Sequence, residues 1–295
     1  MYQSILNFKR ARYLWLALAV SVMSIATYQW HQPIGMPNGG TWLGYTLGTI
    51  GALLIVWLLL LGMRKRSYNS NMGTVQGWTS AHVYLGTALL LIGTLHGGFQ
   101  FGMNVHTLAY VLMVAVILSG FFGIFVYLKY PNLLTVNRSG DTLDSLLDKV
   151  LKIDDRSRRI AATPDLSRLV DSAIDGCEIG GGWWQQLTAK GSSTISIPSA
   201  FDSDGQEKPQ SNKDQALVID VLANRLSQLS GGGDEAGAVQ GLIANFAAKQ
   251  TLLRRIKRDV QIRAILKIWL YIHVPISFAL LAALITHVIV VFFYW

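Results

Sequence analysis

Residues 79–101, TSAHVYLGTALLLIGTLHGGFQF, and residues 268–295, IWLYIHVPISFALLAALITHVIVVFFYW, decide how this chain is read. Each run has the length and apolarity that a bilayer-crossing helix needs. Each carries two histidines fourteen positions apart, His82 and His96 in the first, His273 and His287 in the second. A helix turns about 100° per residue, so fourteen steps make nearly four turns and set both rings on one face, roughly 21 Å apart along the axis. Two such helices lying side by side in the same direction present facing imidazole pairs at two depths, His82 with His273 and His96 with His287.

The rest of the composition agrees with a membrane setting. Of 295 residues 51% are hydrophobic and only 14% charged, too few charges for a soluble domain of this size. Five segments reach spanning length, at about 13–30, 42–63, 79–101, 107–128 and 268–293. All seventeen Asp and Glu fall between Asp141 and Asp259. The net charge of +8 therefore reflects Lys and Arg flanking the spans, not a nucleic-acid surface. Lys9, Arg10 and Arg12, then Arg64, Lys65 and Arg66, then Lys129, then Arg254 to Lys267 all fall on one side when the spans alternate. That places the N-terminus and a large insert inside and the C-terminus outside, as in a multi-pass protein of a bacterial inner membrane. The first segment reads as a retained anchor, because its apolar run continues past Ala26, the point where a secretory signal would be cut. The expected organisation is all-α: residues 1–130 hold four transmembrane helices, 131–267 a mostly helical cytoplasmic insert, and 268–295 the fifth span.

Two imidazoles at each level, with no Asp, Glu or Cys in either run, are too few for an ordinary protein-bound metal ion. Haem fits the count, since its porphyrin supplies four equatorial nitrogens and the iron needs two axial ligands. The single cysteine, Cys177, excludes a four-thiolate cluster and a covalent CxxCH site, so such a haem is non-covalent and b-type. Gly48, Gly62, Gly86, Gly93, Gly97, Gly98, Gly120 and Gly123 let a flat macrocycle approach the backbone, or let helices pack closely; both readings stand. Arg64, Lys65, Arg66, Lys129 and Lys267 are candidate propionate partners on the inner side. The outer side has no Lys or Arg, and there His106 and His31 are expected to meet a propionate or a quinone. Pro275 is expected to kink the last helix.

Within the insert, residues 141–153 and 163–176 read as helices, the second with Thr163 as cap, Pro164 in the first turn and Gly176 at its end. Residues 193–197 read as a short strand, 180–182 and 231–233 as loops, and 214–229 and 236–267 as helices, the last continuous with the final span. No phosphate-binding glycine motif and no metal-spaced Cys/His group occurs there. The basic run at 254–267 suits anionic lipid or an acidic partner, or serves topology alone.

The paired histidine spacing resembles the haem core of di-haem b-type membrane cytochromes, above all the cytochrome b subunit of quinol–cytochrome c reductases. Its placement on the third and fifth segments is also similar to ferric reductases and NADPH oxidases. The resemblance covers about 115 residues outside the insert. It implies a four-helix haem-binding bundle, two haem b groups on the axial pairs His82/His273 and His96/His287, and electron transfer across the membrane in a respiratory chain. It also implies exchange with a quinone pool or a cytoplasmic donor, and with a periplasmic cytochrome or iron–sulfur protein; the insert would meet a cytoplasmic protein. The chain departs from these families in having no flavin or nicotinamide module after the last span and no acidic residue in its spans. A self-contained quinol- or ferric-type oxidoreductase is the alternative, and a non-redox membrane anchor or transporter the third reading.

Overall fold

Apolar runs bounded by threonine caps and glycine-rich turns become helices in the computed structural model, which describes residues 5–33, 35–67, 71–138, 140–189, 193–201, 209–229 and 233–293. The protein is mostly helical with a little sheet, and it divides into two units. One comprises the residues up to Val126 with those from Trp269 onward; the other is Tyr127–Ile268.

The first unit contains α1 (Arg12–Trp30), α2 (Trp42–Arg66), α3 (Val75–His96), most of α4 (Val105–Arg138), and the end of a long helix, α9 (Asp234–Phe293). The Thr41 and Thr74 hydroxyls cap α2 and α3 by accepting the Gly44 and Gly77 N–H groups. Among the described residues four helical stretches are long and apolar enough to cross a membrane: α2, α3, the stretch beginning at Val105, and α9. The first expected span folds as α1 but is not among them; Ser21, Ser24, Thr27 and Gln29 dilute its apolar run. α3 ends at His96, five residues short of expectation. Gly98 turns the chain there with φ +59°, and a Cβ at that position would lie 2.1 Å from the Pro37 carbonyl oxygen. Leu43, Leu47, Ile92 and Leu95 bury the α2–α3 seam, with Val20 and Tyr28 of α1 against it. Ile55, Leu89, Met113 and Leu280 form a second cluster, one residue each from α2, α3, α4 and α9. The helix α9 runs through Pro275 without a break, and the Ser277 hydroxyl bonds the His273 carbonyl at 2.7 Å.

In the second unit Thr163 accepts the Leu166 N–H, Pro164 opens α6 (Pro164–Asp175) and Gly176 closes it, as the sequence signals. The predicted helices at 141–153 and 214–229 appear as α5 (Leu143–Ile160) and α8 (Ala216–Gln228), the latter after a single 3₁₀ turn. The predicted strand is β1 (Thr194–Ser196), paired antiparallel with β2 (Pro209–Ser211). Neither β2 nor the short helix α7 (Trp183–Thr188) was expected from the sequence. Of the predicted loop at 231–233, only Gly233 falls within the described residues. Leu166, Leu169, Val170, Ile195, Leu222 and Phe246 build the core of this unit, and Leu146 and Val150 seat α5 on Leu253 and Ile256 of α9.

Part of the basic run at 254–267 is spent inside this unit rather than offered to lipid or a partner. Lys257 pairs with Asp214 at 2.7 Å, and Asp259, fully buried, receives Arg263 and a two-point bond from Arg138. Lys257 holds the Asp214 carboxyl below the usual carboxylate range. That pair stabilises the unit above the unfolded carboxylate's range and loses its contribution as the pH falls through the depressed value. Lys249, 1% exposed, meets Asp154 at 2.6 Å beside Cys177. Burial pushes the Cys177 thiol up, which disfavours its reactive thiolate form. Lys249→Met, which strands the Asp154 carboxylate, is expected to destabilise this unit by about 3–5 kcal/mol. Lys152→Met at the exposed Asp148 pair should cost less than about 1 kcal/mol. Denaturant melts of the full chain compare the two.

Candidate functional site

The four spaced histidines come together as two pairs. His96 and His287 face each other with ring centroids 6.1 Å apart, and His82 and His273 line one cleft. Both pairings at once require α3 and the end of α9 to run in the same direction.

At the inner level the ring tautomers follow from the partners. His82 Nδ1 lies 3.1 Å from the Leu58 carbonyl, which can only accept, so Nδ1 carries the proton. His273 Nδ1 lies 2.7 Å from Ser119 Oγ, which also reaches the Val116 carbonyl at 2.8 Å; with the hydroxyl proton on that carbonyl, the ring donates to Oγ. Each ring is thereby left with Nε2 as its lone-pair nitrogen, the arrangement by which metal-binding histidines are usually oriented. The Trp269 ring lies 5.3 Å from that of His273 and donates Nε1–H to the Ser119 carbonyl. It lies on Gly123, where a Cβ would come within 2.1 Å of it, so Gly123 makes room for an indole rather than for a ligand. Apart from Thr87 and Ser277 the rest of the cleft is apolar, lined by Ile55, Leu58, Gly86, Met113, Gly120 and Leu280 among others. Its cavity volume is about 90 Å³ with one side open, below the roughly 300–1,000 Å³ of preformed small-molecule pockets, so a macrocycle would have to part the lining side chains.

The outer level holds a third ring. His106, at the start of α4, has its ring centroid 5.1 Å from that of His96 and 4.9 Å from that of His287. One ligand nitrogen from each of the three lies within 4.8 Å of the others. The three separations put the His106 ring about 4 Å from the midpoint between His96 and His287. An iron held by both His96 and His287 would have to lie between them, so His106 would need to move aside for a macrocycle there. His96 Nδ1 donates to the Gly44 carbonyl at 2.7 Å, again freeing Nε2. Gly48 lies flat against that ring; its Cβ would stand 2.6 Å from His96 Cε1. Gly48→Ala is therefore expected to push His96 off the Gly44 carbonyl and disturb the outer level while sparing the inner one, read as selective loss of any metal or haem that the outer rings would take up.

The remaining expected residues divide. Gly86 and Gly120 line the inner cleft, Gly93 abuts Met113 in a helix contact, and Gly62 has open space where a Cβ would go. Arg64 is engaged by the α2–α3 loop, donating to the Ser67 and Gly73 carbonyls. Arg66 is exposed, and Lys129 belongs to the second unit. His31 sits edge-on to Trp42, apart from the three-ring cluster; Gln100 bonds the Pro37 carbonyl, and Asn104 caps α4 through the Thr107 N–H. Ser119, Trp269, Leu58 and Gly44 position the imidazoles and were not singled out by the sequence. The place of His106 had one signal: it lies ten residues beyond His96, across a tight turn.

Set beside known proteins, the chain matches no family model, no curated protein and no solved structure.

Proposed function

We propose that this protein is a transmembrane electron carrier of the di-haem b-type cytochrome kind, with His82 and His273 holding the inner haem iron and His96 and His287 the outer. The observation that carries the reading is the inner level: two imidazoles on one apolar cleft, each with Nδ1–H bonded away and Nε2 left for a metal. An iron with two histidine ligands has no open position, which favours electron transfer over oxygen chemistry. Two levels about 20 Å apart by helix rise span most of the apolar core. The outer level accommodates a haem when His106 turns out to its edge, where the ring meets a propionate or a quinone. In this reading α1 completes five spans around a four-helix haem bundle, the N-terminus and insert are cytoplasmic, and the C-terminus is periplasmic. Electrons pass between a quinone or cytoplasmic donor and a partner such as a periplasmic cytochrome or iron–sulfur protein.

Reduced-minus-oxidised spectra with haem quantitation test this: about two b haems per chain are expected, and a colourless protein refutes it. Quinol or ferric turnover by the purified chain would favour the self-contained oxidoreductase, whereas a colourless, metal-free protein would leave the anchor or transporter.

The His106 geometry favours a second reading at the outer level alone. Three imidazole nitrogens this close match the donor set of one transition-metal ion, with a fourth position open. One haem and one equivalent of zinc, copper or a similar metal per chain would select it.

A further inference from the structure

The second unit holds a cavity that its own core packing leaves unfilled. As the described residues bound it, the volume is about 380 Å³ with one side open, within the roughly 300–1,000 Å³ of small-molecule pockets. Val150 and Leu151 of α5, Ile174 of α6 and Ile179 just beyond it give an aliphatic wall. Asp154, Lys249 and Cys177 form a polar end, and every lining residue falls within Tyr127–Ile268.

Lys249 is the unusual member, a lysine side chain only 1% exposed. Its Nζ stands 2.6 Å from Asp154 Oδ1, yet the two meet off the line of a directed hydrogen bond. Neither atom has a hydrogen bond elsewhere among the described residues. The Phe246 ring, with its centroid 5.8 Å from Nζ, covers one side of the ammonium. An ammonium carries three N–H donors, and donors buried without acceptors are costly, so the site favours an occupant that brings them an oxygen. Asp154 already balances the lysine's charge. A carboxylate here would add an uncompensated buried anion, whereas a neutral oxygen takes the free N–H groups without one.

We propose that this cavity binds a small neutral aliphatic molecule with a carbonyl-type head, its oxygen accepting from Lys249 and its chain along the aliphatic wall. The site belongs to the second unit alone and does not depend on what the histidines hold.

Cys177 is the single cysteine, so alkylation of the whole chain reports on this cavity. Millimolar methyl hexanoate is expected to slow the reaction of Cys177 with iodoacetamide by about threefold or more, the protection a ligand gives at about twice its dissociation constant. Hexanoate at the same free concentration should protect far less. Leu151→Trp, at an exposed position on the rim, should block the cavity and abolish protection. Asp154→Leu/Lys249→Met removes both charges together, leaving neither stranded, and should abolish it too. Saturation-transfer NMR from the protein to the ester methyl groups reads the same binding without the thiol. Unchanged alkylation, with no transfer that Leu151→Trp removes, would mean that the cavity holds water only and would overturn the proposal. Stronger protection by hexanoate than by the ester would overturn the neutral head, and full protection in the double variant would overturn the part given to Lys249.

Discussion

On the proposed two-haem reading, replacing His82 by alanine is expected to lower the haem content of the purified protein from about two groups per chain to about one, and His273→Ala to do the same. A bis-imidazole iron loses low-spin character when either ligand is removed, and among the residues lining the cleft only these two histidines carry a ring nitrogen, the Met113 thioether being a weaker replacement. Ser119→Ala is a milder change. It removes the acceptor for His273 Nδ1–H but leaves Nε2 in place, so the haem should stay bound while its potential shifts. Pyridine haemochrome assays and redox titrations separate these outcomes. Equal haem content in His82→Ala and the parent protein would end the inner-level assignment.

The second large effect concerns His106. If the outer level holds haem, His287→Ala removes about one haem per chain, while His106→Ala leaves the count unchanged, since that ring must vacate the iron's surroundings for the macrocycle to enter. If the outer level holds a metal ion, His106→Ala removes one of three ligands. Metal content, read by elemental analysis, should then fall with His106→Ala as steeply as with His96→Ala or His287→Ala, with no change in haem. Losses of about tenfold or more in metal affinity are the scale at which even indirect partners of such ligands act. The single substitution therefore chooses between the two arrangements.

Much of the architecture is written in short-range pattern. The fourteen-residue histidine spacing, the apolar runs of α2, α3 and α9, and the Thr163-Pro164 start and Gly176 end of α6 each depend on residues close together in the chain. Periodicity and capping act over one to four turns, so a single sequence carries them. The early end of α3 at His96, before the Gly98 turn, falls at an element end, where local pattern is weakest.

What the sequence alone determined was the inventory: mostly helical, rich in membrane-length segments, with two histidine pairs able to share two depths. Tertiary structure alone decided which atoms those rings turn inward, by placing the Leu58 and Gly44 carbonyls and the Ser119 hydroxyl behind them. It alone brought His106 to within about 5 Å of both outer rings. It alone drew part of the basic run of α9 onto Asp214 and Asp259. The reason is physical: a helix is specified by its own neighbours, whereas the approach of one helix face to another depends on how all their side chains pack.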